Sequence, residues 1–218
     1  MIRPPLHVNI ETTPRCQAKC PGCPQPFLER KGVDMPLTLV TRLINEAAAM
    51  GTRQVLPYAY GEATLHADFV EIMRLCKASG MRVRLYTNGG MLHKPEIYNA
   101  LRDYCDDLVF SVDGATLYTM RESRPGINPA VVVQYLDRFI AEPHRPIVTV
   151  RSTIFDHNKH EGALYCKRWR NADKVCLVPD IRTAPKRDVK KPCNRLFEQL
   201  PIYASGKAPL CCRDWEGE

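Results

Sequence analysis

Apolar, β-rich runs alternate with segments of helical periodicity along most of the chain, and this alternation constrains the fold more than any other feature. Such runs favour strands, whereas apolar residues spaced three and four apart favour helices. The predicted strands are residues 7–12, 53–59, 82–89, 107–114, 146–154 and 173–179, and the predicted helices are residues 37–51, 66–80, 94–105, 128–142 and 158–172. Strands that are each separated by a helix pair in parallel through right-handed crossovers. The sequence therefore predicts an α/β fold, either an open doubly wound sheet or a fragment of a β/α barrel.

The alternation ends near residue 180, which predicts two parts for the 218-residue chain. Residues 1–180 form the predicted α/β domain, and 44% hydrophobic residues suffice for its core. Residues 181–218 begin with a polar, basic, proline-containing linker and end with a cysteine-containing extension. That extension is too short to bury a core of its own, so we expect metal or docking to hold it.

Charge and hydropathy restrict the partners and the compartment. No apolar run is long enough to cross a bilayer, and the start of the chain lacks the apolar block of a signal peptide. We therefore expect a cytoplasmic protein with no membrane partner, in which the ten cysteines are reduced thiols. Lys and Arg exceed Asp and Glu by 31 − 24 = 7. Without aromatic interleaving or a nucleic-acid motif, this excess predicts a solvated surface and no nucleic-acid partner.

Three cysteines crowd into the segment RCQAKCPGC, directly after the first predicted strand. Parallel β/α folds place their ligands at the carboxyl ends of the strands, so Cys16, Cys20 and Cys23 lie where a binding site is expected. Three thiolates on a four-iron cluster leave one iron with an open position, and an open position is where a metal reacts. Two alternatives remain at this point, namely a zinc site completed by a distant residue and unrelated buried thiols.

The C-x3-C-x2-C spacing after the first strand of a β/α series resembles the radical S-adenosylmethionine (radical SAM) superfamily. The resemblance implies a partial (β/α)6 TIM-like barrel and a 4Fe–4S cluster held by Cys16, Cys20 and Cys23. It further implies that S-adenosylmethionine (SAM) binds the open iron. Reductive cleavage of SAM would then give a 5′-deoxyadenosyl radical that abstracts hydrogen from a substrate.

The resemblance also implies cofactor-binding residues at the ends of the second and fourth strands. YGEATL is similar to the Gly-Gly-Glu-Pro segment of the family, so Gly61 and Glu62 would receive the ammonium of SAM. SVDG is similar to the Ser-x-Asp-Gly that ends the fourth strand, so Ser111 and Asp113 would approach SAM. A turn-forming role at a strand end is the alternative for Ser111 and Asp113.

Two further residues are expected at the same edge of the sheet. Asn88, in the TNG that ends the third strand, would bind SAM, although Asn-Gly is also an ordinary tight turn. Arg151, late in the fifth strand, would act in catalysis by holding the SAM carboxylate or a substrate oxygen, and a surface arginine is its alternative. One departure from the family is Gly22, since the residue before the third cysteine is often aromatic and packs near the adenine.

The C-terminal cysteines read C-x12-G-x4-C and resemble the opening of the SPASM or twitch extension, which binds auxiliary iron–sulfur clusters. Gly206 would permit a tight turn between two short strands. The sequence stops after CCRDWEGE, so we expect either a truncated extension or a shortened one in which Cys193, Cys211 and Cys212 hold a cluster with an open site. An accidental grouping of thiols is the alternative.

The resemblance implies a radical SAM oxidoreductase or peptide-modifying enzyme of the SPASM or twitch type. Its partners would be a substrate and a one-electron reductant such as flavodoxin or ferredoxin. A peptide substrate, in a maturase or epimerase reaction, is the leading hypothesis. The alternatives are a radical SAM dehydrogenase of a small sugar or cyclitol, and a non-catalytic iron–sulfur electron carrier.

Overall fold

One parallel sheet of seven strands forms the centre of the molecule. A computed structural model describes residues 3–180, 193–211 and 214–216. The strands are β1 His7–Ile10, β2 Gln54–Leu56, β3 Arg82–Thr87, β4 Asp107–Ser111, β5 Ile147–Ile154, β6 Lys174–Pro179 and β7 Gln199–Ile202. Their order is β6-β5-β4-β3-β2-β1-β7, and every neighbouring pair is parallel. The sheet is therefore open, and the prediction of an α/β partial barrel is confirmed.

The helices connect consecutive strands. They are α1 Leu37–Ala49, α2 Phe69–Ala78, α3 Pro95–Tyr104, α4 Leu117–Ser123, α5 Pro129–Ala141, α6 Gly162–Arg168 and α7 Arg195–Glu198. The sequence pattern did not predict α4, because seven residues are too few for a clear helical period. Its signal is a capping box, in which the side chains of Thr116 and Thr119 each accept from the other residue's amide.

The core lies between the sheet and the helices. Strands β1 to β6 follow one another in space, and right-handed crossovers then place all the connecting helices on one face. Alternate strand residues such as Val83, Leu108 and Val150 are buried in the core cluster. Tyr86 and Arg151 occupy the intervening positions of β3 and β5 and are partly exposed, since successive side chains point to opposite faces of a strand. The face opposite the helices, called the open face below because the connecting helices do not cover it, thus carries polar side chains together with the buried Leu56 and Val109.

The C-terminal segment joins this sheet. β7 pairs in parallel with β1, whereas the sequence analysis predicted two short strands around Gly206. The turn itself is present, because Gly206 has φ 82° and the Tyr203 amide donates to the Lys207 carbonyl at 2.9 Å. Within the described residues no strand follows the turn. Pro209 lacks the amide that a returning strand would need for its ladder. The domain boundary near residue 180 stays a prediction.

Among the helices of the described residues, none has the length and apolar character needed to cross a membrane.

Candidate functional site

The cysteine loop, residues 13–24, follows β1 at the carboxyl edge of the sheet. Its three cysteines are free thiols that are half-buried. A tight turn brings two of them together, because the Cys23 amide donates to the Cys20 carbonyl at 3.1 Å and Gly22 has φ 68°. That positive φ favours glycine, which explains why the residue before the third cysteine carries no side chain here.

Burial dominates the electrostatics of these thiols. It raises the pKa of Cys16 to about 12, and the nearby charges of Glu62, Cys20 and Cys23 contribute in the same direction. Burial also raises the pKa of Cys20, although the positive charge of Arg124 opposes the shift. Metals bind thiolates, so metal binding at this loop must displace thiol protons.

The donor set fits an iron–sulfur cluster. Three thiols are the soft ligands that such clusters take from proteins. Among the residues that the structure describes, no three histidine, cysteine or carboxylate side chains are grouped so as to hold a metal ion. A four-iron cluster does not need three ligands around one ion, since each thiolate binds a different iron atom.

Gly61, after β2, contacts the cysteine loop through its backbone. A Cβ at this position would lie 2.0 Å from the Thr13 carbonyl oxygen and 2.9 Å from that of Arg15. The next amide, of Glu62, donates to the Arg15 carbonyl at 2.8 Å. Only glycine permits this close approach. The structure thus gives Gly61 a packing role, and its predicted contact with SAM stays a prediction.

Glu62 joins the ends of β2 and β3. Its buried carboxylate accepts hydrogen bonds at 2.7 Å from the Thr64 hydroxyl, the Thr87 hydroxyl and the Asn88 amide. Burial raises the pKa of Glu62, and these hydrogen bonds oppose that shift. The Thr64 amide also donates to Oε1 at 3.4 Å, so three of these donors meet Oε1 and the Asn88 amide meets Oε2. Since each oxygen of an ionised carboxylate has about two acceptor positions, Oε2 is the oxygen with capacity for a further donor. The predicted contact with an ammonium is chemically compatible with this arrangement.

Asn88 touches the cysteine loop directly. Its Nδ2 lies 3.8 Å from the Cys16 sulfur, and its Oδ1 accepts from Gln17 Nε2 at 3.2 Å. Its Oδ1 also accepts from the Gly90 amide at 2.9 Å, which closes the turn after β3. Gln17 was not among the predicted site residues, because its partner is 71 residues away in the sequence. Asn88 therefore both closes a turn and contacts the cysteine loop, while its binding of SAM stays a prediction.

Ser111 ends β4 and Asp113 follows it, and both line a small cavity together with Asn88 and Arg124. The apolar walls of this cavity are Val112, Met120, Ile127, Pro129 and Val132. Ser111 is partly exposed, whereas Asp113 is buried. The Asp113 carboxylate accepts from the Thr153 amide at 2.6 Å and pairs with Arg124 at 2.6 Å. Both oxygens of Asp113 thus bind protein groups, and its approach to SAM stays a prediction.

Arg124 is a site residue that the sequence analysis missed. Its Nη1 lies 3.6 Å from the Cys20 sulfur, and its Nε is buried without a partner among the described residues. The segment after it also packs on the cysteine loop, since the Pro125 carbonyl accepts from the Lys19 amide at 2.7 Å. The available signal was the tripeptide Arg-Pro-Gly directly after a helix, in which Gly126 has φ 93°.

Arg151 lies beside this cavity without lining it. Its carbonyl accepts from the Val112 amide at 2.9 Å, which fixes the segment after β4 against β5. Its guanidinium lies 5.7 Å from the centre of the Tyr86 ring, and that ring is 4.9 Å from the ring of Tyr58. The side chain therefore belongs to the open face of the sheet. Its predicted catalytic role stays a prediction.

Comparison with known proteins identifies the family. The sequence profile of the radical SAM superfamily matches residues 10–164. The chain belongs to the radical SAM superfamily. Among curated proteins, it is similar to the PqqA peptide cyclase of Methylorubrum populi, with 34% identity over 247 aligned residues that cover 99% of this chain and 62% of that protein. The PqqA peptide cyclase of Gluconobacter oxydans is 30% identical over 114 residues, 52% of this chain and 32% of that protein. The chain thus spans less than two thirds of these relatives.

Solved structures of other proteins share the fold. Streptococcus suis SuiB bound to precursor peptide SuiA matches with a TM-score of 0.77 at 14% identity, over 96% of this chain and 60% of that one. BtrN in complex with AdoMet and 2-DOIA matches with a TM-score of 0.57 at 12% identity, over 99% of this chain and 76% of that one. At such low identity these matches establish the fold alone.

The C-terminal cysteines lie apart from the radical SAM motif in the sequence, beside β7. Cys193 and Cys211 are exposed and line one cavity of about 260 Å³ with Leu196 and Leu210. Cys212 lies outside the described residues. The structure therefore brings two of the three predicted auxiliary ligands to one cavity, and a cluster there stays a prediction.

A buried ion pair joins the cysteine-loop side of the radical SAM fold to the C-terminal segment. Glu11, at the end of β1, accepts from Arg30 Nε at 2.6 Å and from Arg30 Nη2 at 3.1 Å. The Ala204 amide donates to the same carboxylate at 3.1 Å, and the Arg30 guanidinium lies 4.0 Å from the centre of the Tyr203 ring. Arg30 also donates to the Trp215 carbonyl. Sequence analysis missed this pair because its members are 19 residues apart on different elements.

Proposed function

We propose that this chain is a radical SAM enzyme that holds a 4Fe–4S cluster through Cys16, Cys20 and Cys23 and modifies a peptide. The observation that carries the proposal is the support of the cysteine loop. Backbone and side-chain contacts from the segments after β2, β3 and α4 all converge on that loop. Membership of the superfamily supplies the chemical class, and the name of the curated relatives, PqqA peptide cyclase, favours a peptide.

The residues around the loop are suited to bind SAM. When bound, the cluster supplies one electron that cleaves SAM to methionine and a 5′-deoxyadenosyl radical, which abstracts hydrogen from the substrate. Asn88 and Ser111 offer an amide and a hydroxyl to the polar groups of SAM at the cavity beside the loop. The Glu62 carboxylate attracts its ammonium, because a buried negative charge favours a positive ligand. Gly61 keeps the backbone between them close to the loop.

Arg151 is proposed to bind an oxygen of the substrate. Its guanidinium lies on the open face of the sheet, beside the aromatic rings of Tyr86 and Tyr58. Among the described residues its guanidinium contacts the Tyr86 ring rather than a carboxylate, so its charge is available for a ligand. The guanidinium can donate hydrogen bonds to a carbonyl or carboxylate oxygen of a peptide.

The finer subfamily assignment is also a proposal. We assign Cys193, Cys211 and Cys212 to an auxiliary cluster site of the SPASM or twitch type, supported by the cavity that Cys193 and Cys211 share. A flavodoxin or ferredoxin is the proposed source of the activating electron. Its negative surface would match the net charge of +7 on this chain.

The test is SAM cleavage by the anaerobically reconstituted chain. With dithionite and SAM, we expect 5′-deoxyadenosine from the unmodified chain and none from a variant in which all three loop cysteines are alanine. A synthetic precursor peptide of the PqqA type should accelerate product formation, whereas small sugars and cyclitols should not. Acceleration by a sugar or cyclitol instead would favour the dehydrogenase. If the chain has its full iron content and forms no 5′-deoxyadenosine, the result would favour the electron carrier.

A further inference from the structure

The guanidinium of Arg124 lies between a carboxylate and a cysteine sulfur. Its Nη2 pairs with Asp113 at 2.6 Å, while its Nη1 lies 3.6 Å from Cys20. Two different nitrogens make these contacts, so the carboxylate is bound at one nitrogen and the sulfur lies next to the other. The positive end of the ion pair therefore faces the cysteine loop.

The neighbourhood holds this guanidinium in place. The other oxygen of Asp113 accepts from the Thr153 amide on β5, so the carboxylate cannot rotate without losing a backbone bond. The chain beyond Arg124 is also fixed, since a Cβ at Gly126 would lie 2.3 Å from the Gln17 carbonyl oxygen. Only glycine permits that contact between the two loops.

The arginine retains hydrogen-bonding capacity for the site. Its Nε is buried and has no partner among the described residues, and its side chain lines the cavity with Asn88 and Ser111. An unpaired buried donor is costly, so a ligand or cluster atom that accepts from it would be stabilised.

We propose that Arg124, oriented by Asp113, is a positioning residue that raises the reduction potential of the cluster; this inference rests on the proposed function. Reduction adds a negative charge to the cluster. A cation next to one ligand sulfur stabilises the reduced state more than the oxidised state, because charge and hydrogen bonds at the sulfurs set the potential of such clusters. Removing the cation therefore makes the potential more negative.

The experiment is an anaerobic redox titration followed by electron paramagnetic resonance, with iron counted in each sample. We expect Arg124→Met to lower the ratio of reduced to oxidised cluster at a fixed potential about tenfold, which for a one-electron couple is a shift of about 59 mV. Arg124→Lys should stay closer to the unmodified chain because it keeps the charge. The matched control is Arg121→Met, which removes the same charge from an exposed position on α4, three residues before Arg124, and should leave the potential unchanged.

Arg124→Gln is the second neutral variant, since it keeps a donor for Asp113 while removing the charge. The inference would be overturned if the cluster had the same reduction potential in the unmodified chain and in the two neutral variants, Arg124→Met and Arg124→Gln. Failure of both neutral variants to fold or to retain iron would overturn it as well, because Arg124 would then only hold the loop. An unmodified chain that takes up no cluster would instead overturn the proposed function itself.

Discussion

Replacing Gly61 with alanine is expected to lower the free energy of unfolding by about 3 kcal/mol, the upper part of the range for overpacking. The same change should weaken iron uptake at the cysteine loop about tenfold, as loss of a supporting contact does at other metal sites. The cause is steric. The new Cβ would meet the carbonyl oxygens of Thr13 and Arg15 at 2.0 and 2.9 Å, and both are backbone atoms that cannot turn aside. The loop must shift, and its cysteines shift with it.

Gly162→Ala is the matched control for this prediction. Gly162 begins α6 with helical φ and ψ, and a Cβ there would make an ordinary contact of 3.5 Å with Leu177. Alanine is favoured over glycine in helices by up to about 1 kcal/mol, so this variant should be neutral or slightly stabilised. Urea unfolding and iron content after reconstitution measure both effects. A Gly61→Ala protein with the same unfolding midpoint and iron content as the unmodified chain would refute the packing role.

Replacing Glu11 with glutamine is expected to lower the free energy of unfolding by about 3–5 kcal/mol, the usual cost of removing one partner of a buried ion pair. The buried Arg30 guanidinium would lose its two short contacts with a carboxylate and keep the longer ion pair to Glu216 at 3.5 Å, since both carboxylate oxygens of Glu11 now accept from it. The amide of glutamine would also place a donor beside a second donor, either Arg30 or the Ala204 amide. The C-terminal segment should therefore loosen as well.

Glu46→Gln is the matched control for the ion pair. Glu46 lies 3.5 Å from Arg42 on the exposed side of α1, where its side chain is 60% exposed. Such surface pairs contribute at most about 1 kcal/mol, so the change in unfolding free energy should be small. Urea unfolding measures stability, and hydrogen exchange at Ala204 reports on the C-terminal segment. Equal stability of the Glu11→Gln and Glu46→Gln proteins would show that the buried pair does not join the two regions.

Local patterns were enough to predict the sheet, because each of the first six strands carries its own apolar, β-rich run. β7 escaped prediction for a physical reason. It has four residues and contains Pro201, which is tolerated because β7 lies at the edge of the sheet. Its partner β1 lies about 190 residues away, as the bond from Gln199 to Asn9 illustrates. No local signal reports such a pairing.

In the candidate site too, the positions of some residues were predictable from local sequence, whereas their long-range contacts were not. The rule that ligands bind at the carboxyl ends of parallel strands placed Asn88 and Ser111 beside one cavity, and the structure has them there. The supporting contacts were not predictable, since Arg124 meets Cys20 across 104 residues of sequence. Asp113 was recognised from its motif, yet its two oxygens bond to Arg124 and to the Thr153 amide. Such partners depend on tertiary packing.

Mössbauer spectroscopy of the reconstituted chain, recorded with and without SAM, tests the central proposal most directly. A cluster held by Cys16, Cys20 and Cys23 alone should contain four irons, one of which changes its signal when SAM is added. A single tetrahedral metal ion at the loop would contradict the proposal. So would a four-iron cluster whose spectrum does not respond to SAM.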